Sequence, residues 1–254
     1  MKNLLFIMII AFAMFSCKSS KAPVAGGTKN VTPAALNALS ATEKAEGVIL
    51  LFDGKTTDQW RSYGKETFPK GWEINDNAIH CIGSGKGEAG EGGDIITKEK
   101  FKNFEMTLEW KISEGGNSGI FYLAQEIAGD PIWKSSPEMQ VLDNLKHPDA
   151  KLGVDGNRQA GSLYDLIPAK PQNAKPVGEW NTVKIMVYKG TVVHYQNGVQ
   201  VLEYHLWTDD WNKMCANSKF KDFPNFVNTA TEGFIGLQDH GDDVWYRNIK
   251  IKKL

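Results

Sequence analysis

Cysteine is scarce, with three in 254 residues. No Cys-x-x-Cys pair and no cysteine–histidine cluster has zinc-ligand spacing, which argues against a structural zinc site. An excess of one charge is missing too. Lys and Arg number 29 against 30 Asp and Glu, for a net charge of −1, so the basic footprint that phosphate-backbone binding requires is absent and nucleic acid is not an expected partner. The longest apolar run, Leu4 to Phe15, is too short to span a bilayer. Helical periodicity is rare. What remains is an ordinary globular balance, 41% hydrophobic and 23% charged, which excludes a disordered or fibrous chain.

The apolar run follows Lys2 and ends at Ser16-Cys17, after which the composition turns to Lys18-Ser19-Ser20-Lys21. This resembles a bacterial lipoprotein signal, in which Cys17 becomes the acylated N-terminus. Residues 1–16 are then a signal peptide, 17–31 a flexible tether and 32–254 a single domain. The expected location is the bacterial envelope, periplasmic or outer-membrane, with the membrane reached only through the lipid anchor. Cys81 and Cys215 remain, either paired or as buried free thiols.

Ser40-Ala41-Thr42-Glu43 is a capping-box pattern for a short helix to about Glu46, stopped by Gly47. Beyond it the chain is punctuated into short apolar or alternating runs bounded by Gly, Asn, Asp and Pro, the pattern of an all-β protein. Candidate strands include Val48 to Phe52, Phe104 to Ile112, Gly119 to Ala124, Glu138 to Leu142, Thr182 to Lys189, Gly233 to Gln238 and Val244 to Ile251. Asn197-Gly198 suits the two positive φ angles of a type I′ hairpin turn. So many strands without intervening helical periods indicate two packed antiparallel sheets.

Alternation assigns faces. In Phe104 to Ile112 the even positions are apolar, so Glu105, Thr107, Glu109 and Lys111 project together, either as a solvated face or as a ligand face. Glu138 and Gln140 likewise share a face, with Asp143 at the end of their strand.

Several motifs carry a resemblance. Leu51-Phe52-Asp53-Gly54-Lys55 with Trp60, Gly115-Gly116-Asn117-Ser118-Gly119-Ile120-Phe121, Glu138-Met139-Gln140-Val141-Leu142-Asp143, Gly161-Ser162-Leu163-Tyr164-Asp165, Gly178-Glu179-Trp180-Asn181, His194-Tyr195-Gln196-Asn197-Gly198 and Ile235-Gly236-Leu237-Gln238-Asp239-His240-Gly241 with Arg247-Asn248-Ile249 look like the 3-keto-disaccharide hydrolase family, over residues 47–254. The resemblance implies a concanavalin-like jelly-roll sandwich and cleavage of 3-keto-glycosides in the bacterial envelope.

A ketone at C3 acidifies the hydrogen at C2. A base can remove it, the enolate can expel the oxygen at C1, and water can add to the enone. Such a site needs a base, an oxyanion stabiliser and an acid. Glu138 and His240 are the candidates for proton transfer, with Asp143 to orient one of them or hold a divalent cation. Asn117, Gln140, Tyr164 and Gln238 suit sugar hydroxyls and the enolate, Glu109 and Lys111 offer a second polar face, and Trp133 is the candidate stacking platform. Tyr164-Asp165 is equally suited to holding a loop. Asp143, Asp239, Asp242 and Asp243 offer oxygens for Ca²⁺ or Mg²⁺, against the alternative of turn aspartates that bond their own backbone. His194 reads as structural, and His80, His147 and His205 show no spacing that demands a role. The alternative to an enzyme is a non-catalytic carbohydrate-binding lipoprotein.

Overall fold

The computed structural model describes residues 35–86 and 92–254. The expected leader (1–16), the whole tether (17–31) with Cys17, and the first domain residues, 32–34, lie outside them. The first element is the helix α1, Ala41–Ala45, whose cap is the expected reciprocal pair: Ser40 Oγ accepts from Glu43 N at 3.1 Å and Ser40 N donates to Glu43 Oε2 at 2.6 Å. Gly47, at φ 75°, ends it.

Strands follow as β1 (Ile49–Leu50), β2 (Trp60–Ser62), β3 (Trp72–Asn75), β4 (Ala78–Cys81), β5 (Ile95–Thr97), β6 (Phe104–Ile112), β7 (Asn117–Ala124) and β8 (Glu138–Leu142). The second half contributes β9 (Asn181–Tyr188), β10 (Thr191–Gln196), β11 (Val199–His205), the helices α2 (Asp209–Ala216) and α3 (Pro224–Val227), then β12 (Phe234–Leu237) and β13 (Val244–Lys253). They form two antiparallel sheets, one of eight strands in the order β11-β10-β9-β6-β13-β4-β3 with β1 on β13, the other of five in the order β2-β5-β12-β7-β8. This is the expected jelly-roll sandwich. Asn197 and Gly198, at φ 49° and 80°, turn β10 into β11.

Packing follows the pleat. In β6, Phe104, Met106, Leu108, Trp110 and Ile112 are buried and the residues between them half-buried. Together with Ile120, Tyr122, Met139, Val141, Ile235 and Leu237 from the smaller sheet they build the core between the layers. Each such side chain removed from water contributes about 1.5–3 kcal/mol. One polar cluster sunk in this core is paired throughout: Tyr122 Oη lies 2.7 Å from Tyr204 Oη and 2.8 Å from His194 Nε2, and His194 Nδ1 lies 3.1 Å from Gly161 O. Burial pushes the His194 imidazole down to about 4, so it is neutral and structural. Cys81 and Cys215 are both buried free thiols, which resolves the cysteine question against pairing.

The helices between β11 and β12 depart from the sequence reading. Thr208 Oγ1 accepts from Trp211 N at 3.2 Å and caps α2, and its two buried residues, Trp211 and Cys215, are one helical turn apart. A single short apolar stripe of this kind leaves no periodicity to detect. Ring stacking from Tyr204 through Trp211 and Phe226 to Phe220, with centroids 5.6, 5.6 and 3.8 Å apart, fixes the segment to the sandwich.

Candidate active site

Both faces of β7 and β8 are buried. Ile120, Tyr122, Met139 and Val141 point into the core, so by alternation Asn117, Gly119, Glu138 and Gln140 point to the opposite face. Register lines these up across the sheet: Gly119 pairs with Gln140 and Phe121 with Glu138, while Gln238 N donates to Gly119 O at 3.0 Å. The turn around Trp133 and the segment bearing Lys219, Phe220 and Phe226 lie over that face. Between floor and cover is a cavity of about 290 Å³, close to the lower end of small-molecule sites, about 300 Å³. Asn117, Glu138, Gln140 and Gln238 line it, with Asp94 and His240 beside them, and Trp133, Tyr164 and the two phenylalanines complete its wall.

Glu138 is the most perturbed group of the floor. It is 7% exposed and its carboxyl makes no hydrogen bond among the described residues. Burial pushes it up to about 8, against the pull of the Lys219 ammonium and with further push from Asp94 and Asp149. The carboxyl has room because residue 119 is glycine: a Cβ there would overlap Glu138 Oε1. Asp94 is the second unusual carboxyl. Burial raises it to about 7, although its Oδ1 accepts from Asp239 N at 3.0 Å. Lys219 Nζ sits 4.1 Å from the Tyr164 ring centroid and 5.2 Å from that of Phe220, and burial lowers its pKa. Two amide oxygens, Asn117 Oδ1 and Gln238 Oε1, are buried without a hydrogen-bond partner. Such atoms cost about 1–3 kcal/mol each when left unsatisfied, and both belong to residues that line the cavity.

The sequence reading therefore brought together Glu138, His240, Asn117, Gln140, Tyr164, Gln238 and Trp133. Tyr164 holds its loop and also borders the cavity: its ring lines the wall, and its hydroxyl donates to Asp149 Oδ2 at 2.9 Å, in a cluster where Arg158 Nη1 donates to Asp149 Oδ1 at 2.7 Å. Three residues are corrected. Asp143 does not line the cavity; its carboxylate accepts from Gly115 N at 2.8 Å, Leu145 N at 3.0 Å and Lys146 N at 3.3 Å, which makes it the brace of a turn. Glu109 and Lys111 lie on the outer face of the larger sheet. Glu109 accepts from Arg247 Nε at 2.6 Å and from Asn248 Nδ2 at 2.9 Å, and Lys111 Nζ sits over the Trp245 and Trp180 rings at 4.5 and 5.1 Å. Their shared face was read correctly, but it is the face turned away from the cavity.

The aspartates expected to offer oxygens to a cation mostly do not. Asp239 accepts from Gly92, Gly93 and Gly241 N, and Asp243 accepts from Gly83 N and lies 2.7 Å from His80 Nε2. Asp242 alone joins a set with metal-ligand proximity, and its companions are His147 and His240, whose ligand atoms lie with it inside 4.8 Å. Sequence reasoning missed His147, Asp94 and Lys219. None has a partner at motif spacing, and Lys219 belongs to the helical segment that went unread.

A model of the 3-keto-alpha-glucoside-1,2-lyase-like domain matches residues 47–252. A Bacteroides thetaiotaomicron protein named 3-keto-disaccharide hydrolase is 55% identical over 247 residues, 89% of this chain and 85% of that protein. A solved structure from Parabacteroides distasonis, with a provisional assignment as a glycosyl hydrolase, is 31% identical, with a TM-score of 0.78 over 87% of this chain and all of that one. Another from the same organism, with the same provisional assignment, is 28% identical, with a TM-score of 0.58 over 82% of this chain and 84% of that one. A cavity floored by a raised carboxyl and unpaired amides, in a sandwich shared with these proteins, sits inside the matched segment, and the chain belongs to the 3-keto-alpha-glucoside-1,2-lyase-like family as a glycoside-cleaving hydrolase.

Proposed function

We propose that the chain cleaves 3-keto-glycosides by elimination followed by hydration. Glu138 takes the C2 hydrogen as a proton, the C2–H electron pair forms the enolate of the C3 ketone, and its collapse expels the glycosidic oxygen from C1. That oxygen leaves with a proton from Asp94, and water then adds across the C1–C2 double bond. The observation that carries this reading is Glu138 itself, buried, without a hydrogen bond and raised to about 8. A carboxylate with this basicity is better matched to a carbon acid than one in the ordinary range, and a positioned base contributes roughly 10²–10⁴-fold in rate. Asp94, at about 7, still carries a proton in half its molecules at neutral pH. The side of the cavity formed by Asn117 and His240 is where the enolate oxygen is received, and the unpaired Gln238 oxygen accepts from a sugar hydroxyl.

The relative's name supplies the 3-keto-disaccharide as substrate. Asp143, the partner first considered for Glu138 in an ordinary carboxylate pair, is spent on backbone donors, and turnover in D₂O separates elimination from a displacement in which Asp94 is the second carboxyl. The test is turnover of a 3-keto-disaccharide in D₂O, followed by NMR against an enzyme-free control. Elimination and hydration place deuterium at C2 of the released 3-keto sugar at early turnover. Product with the original C2 hydrogen, or equal cleavage of the unoxidised parent sugar, refutes the proposal. The location we propose is the bacterial envelope, through acylation of Cys17.

A further inference from the structure

We propose that His147, His240 and Asp242 form a site for a divalent first-row transition-metal ion at the rim of the cavity. The three come from two turns. His147 opens the turn at Pro148–Lys151 that follows β8, and the other two lie between β12 and β13. Their ligand atoms fall within 4.8 Å of one another, yet no hydrogen bond joins any two of them. Three groups that converge on one gap without bonding across it fit a common ligand of small radius. An ion between them would draw them in to metal-ligand distances of about 2.0–2.2 Å. All three are half-buried, so an ion has access, and His240 also lines the cavity, which leaves coordination positions on the substrate side.

The surroundings suit a metal-bound histidine. Asn117 is 4% exposed, and its Oδ1 is buried without a partner, on the same amide whose Nδ2 lies 3.2 Å from His240 Nε2. With that amide turned over, Oδ1 accepts a hydrogen bond from His240 Nε2–H and the other ring nitrogen is free to ligate, the usual outer-shell arrangement of a metal-bound histidine. Asn117 also holds the carboxylate, since its backbone N donates to Asp242 Oδ2 at 3.0 Å. His147 has one bond to give up. Its Nδ1 accepts from Asp149 N at 3.2 Å, so ligation through Nε2 moves the ring proton to Nδ1 and releases that cap. Two imidazoles and one carboxylate with open positions select manganese, iron, cobalt or zinc over calcium and magnesium.

A metal here would act as a Lewis acid on the ketone oxygen and its enolate. That role rests on the 3-keto reading above; the site itself does not. The experiment is therefore binding without substrate. Chelator-stripped full-length protein is titrated with Co²⁺, read in the visible spectrum, and with Zn²⁺, read by calorimetry. One ion per chain is expected, with affinity lowered ~10-fold or more in both His147→Ala and Asp242→Asn and unchanged in Glu138→Gln. Circular dichroism verifies that each variant is folded, and the Asp149 amide resonance should move when Zn²⁺ binds. Failure of the wild type to bind either ion, or equal affinity in both ligand variants, overturns the site. Metal binding without cleavage of any 3-keto-glycoside would overturn the functional reading and leave the site standing.

Discussion

Replacing Glu138 by glutamine should stabilise the protein while it abolishes turnover. The unfolded carboxyl titrates near 4.5 and the folded one near 8. Because the folded value is the higher, the native state binds the proton more tightly, and stability is greatest below pH 4.5, falls as pH rises toward 8 and is flat beyond. Holding the proton from 4.5 up to pH 7 costs the wild type about 3 kcal/mol, at about 1.4 kcal/mol per pH unit. Glutamine has no such cost, but its amide needs partners in a site that offers Glu138 none, so the net gain expected at pH 7 is about 2 kcal/mol. For a domain of this size that is a rise in Tm of about 4–8 °C. The assay is thermal unfolding of both proteins from pH 4.5 to pH 9. The difference in Tm should widen up to pH 8 and then level. A difference that is independent of pH, or a variant less stable than wild type at pH 8, refutes the claim that burial of this carboxyl carries a folding cost.

The two carboxyls set the kinetics: with Glu138 needed deprotonated as the base and Asp94 protonated as the acid, kcat/KM should be bell-shaped, rising up to about pH 7 and falling above about 8, with the upper limb set by Glu138, and a profile flat from pH 6 to 9 excludes Glu138 as the base. Gly119→Ala should leave the fold intact by circular dichroism but lower kcat/KM ~100-fold by displacing the carboxyl that its Cβ would overlap; wild-type turnover in that variant would show that the close approach does not matter. Lys219→Met removes the cation that pulls the Glu138 value down, so the upper limb should move to higher pH, whereas an unmoved limb separates the two residues. Cys17→Ala should release the protein from the membrane fraction or leave an unprocessed precursor, because the acyl chain provides the membrane affinity, and unchanged partition counts against the anchor.

The sandwich was legible because its information is local. The Ser40–Glu43 cap, the Asn197-Gly198 turn and the strict alternation of β6 each express a preference within a few residues, and tertiary structure left them as they stood. Alternation also joined Glu138 to Gln140 and set Glu109 beside Lys111. It could not say which polar face met a ligand, since period two separates two sides without naming them. That choice fell to sheet packing, which put a helical cover over the outer face of β7 and β8 and left the outer face of β6 with Arg247, Trp180 and Trp245. The roles of Asp143, Asp239 and Asp243 were likewise decided by which backbone donors lay near. Asp94, Lys219 and His147 reach the site from segments far apart in the chain. Their chemistry arises from burial and from neighbours distant in sequence. Sequence by itself determined which side chains could share a face, and only the folded chain determined which of them lost their water.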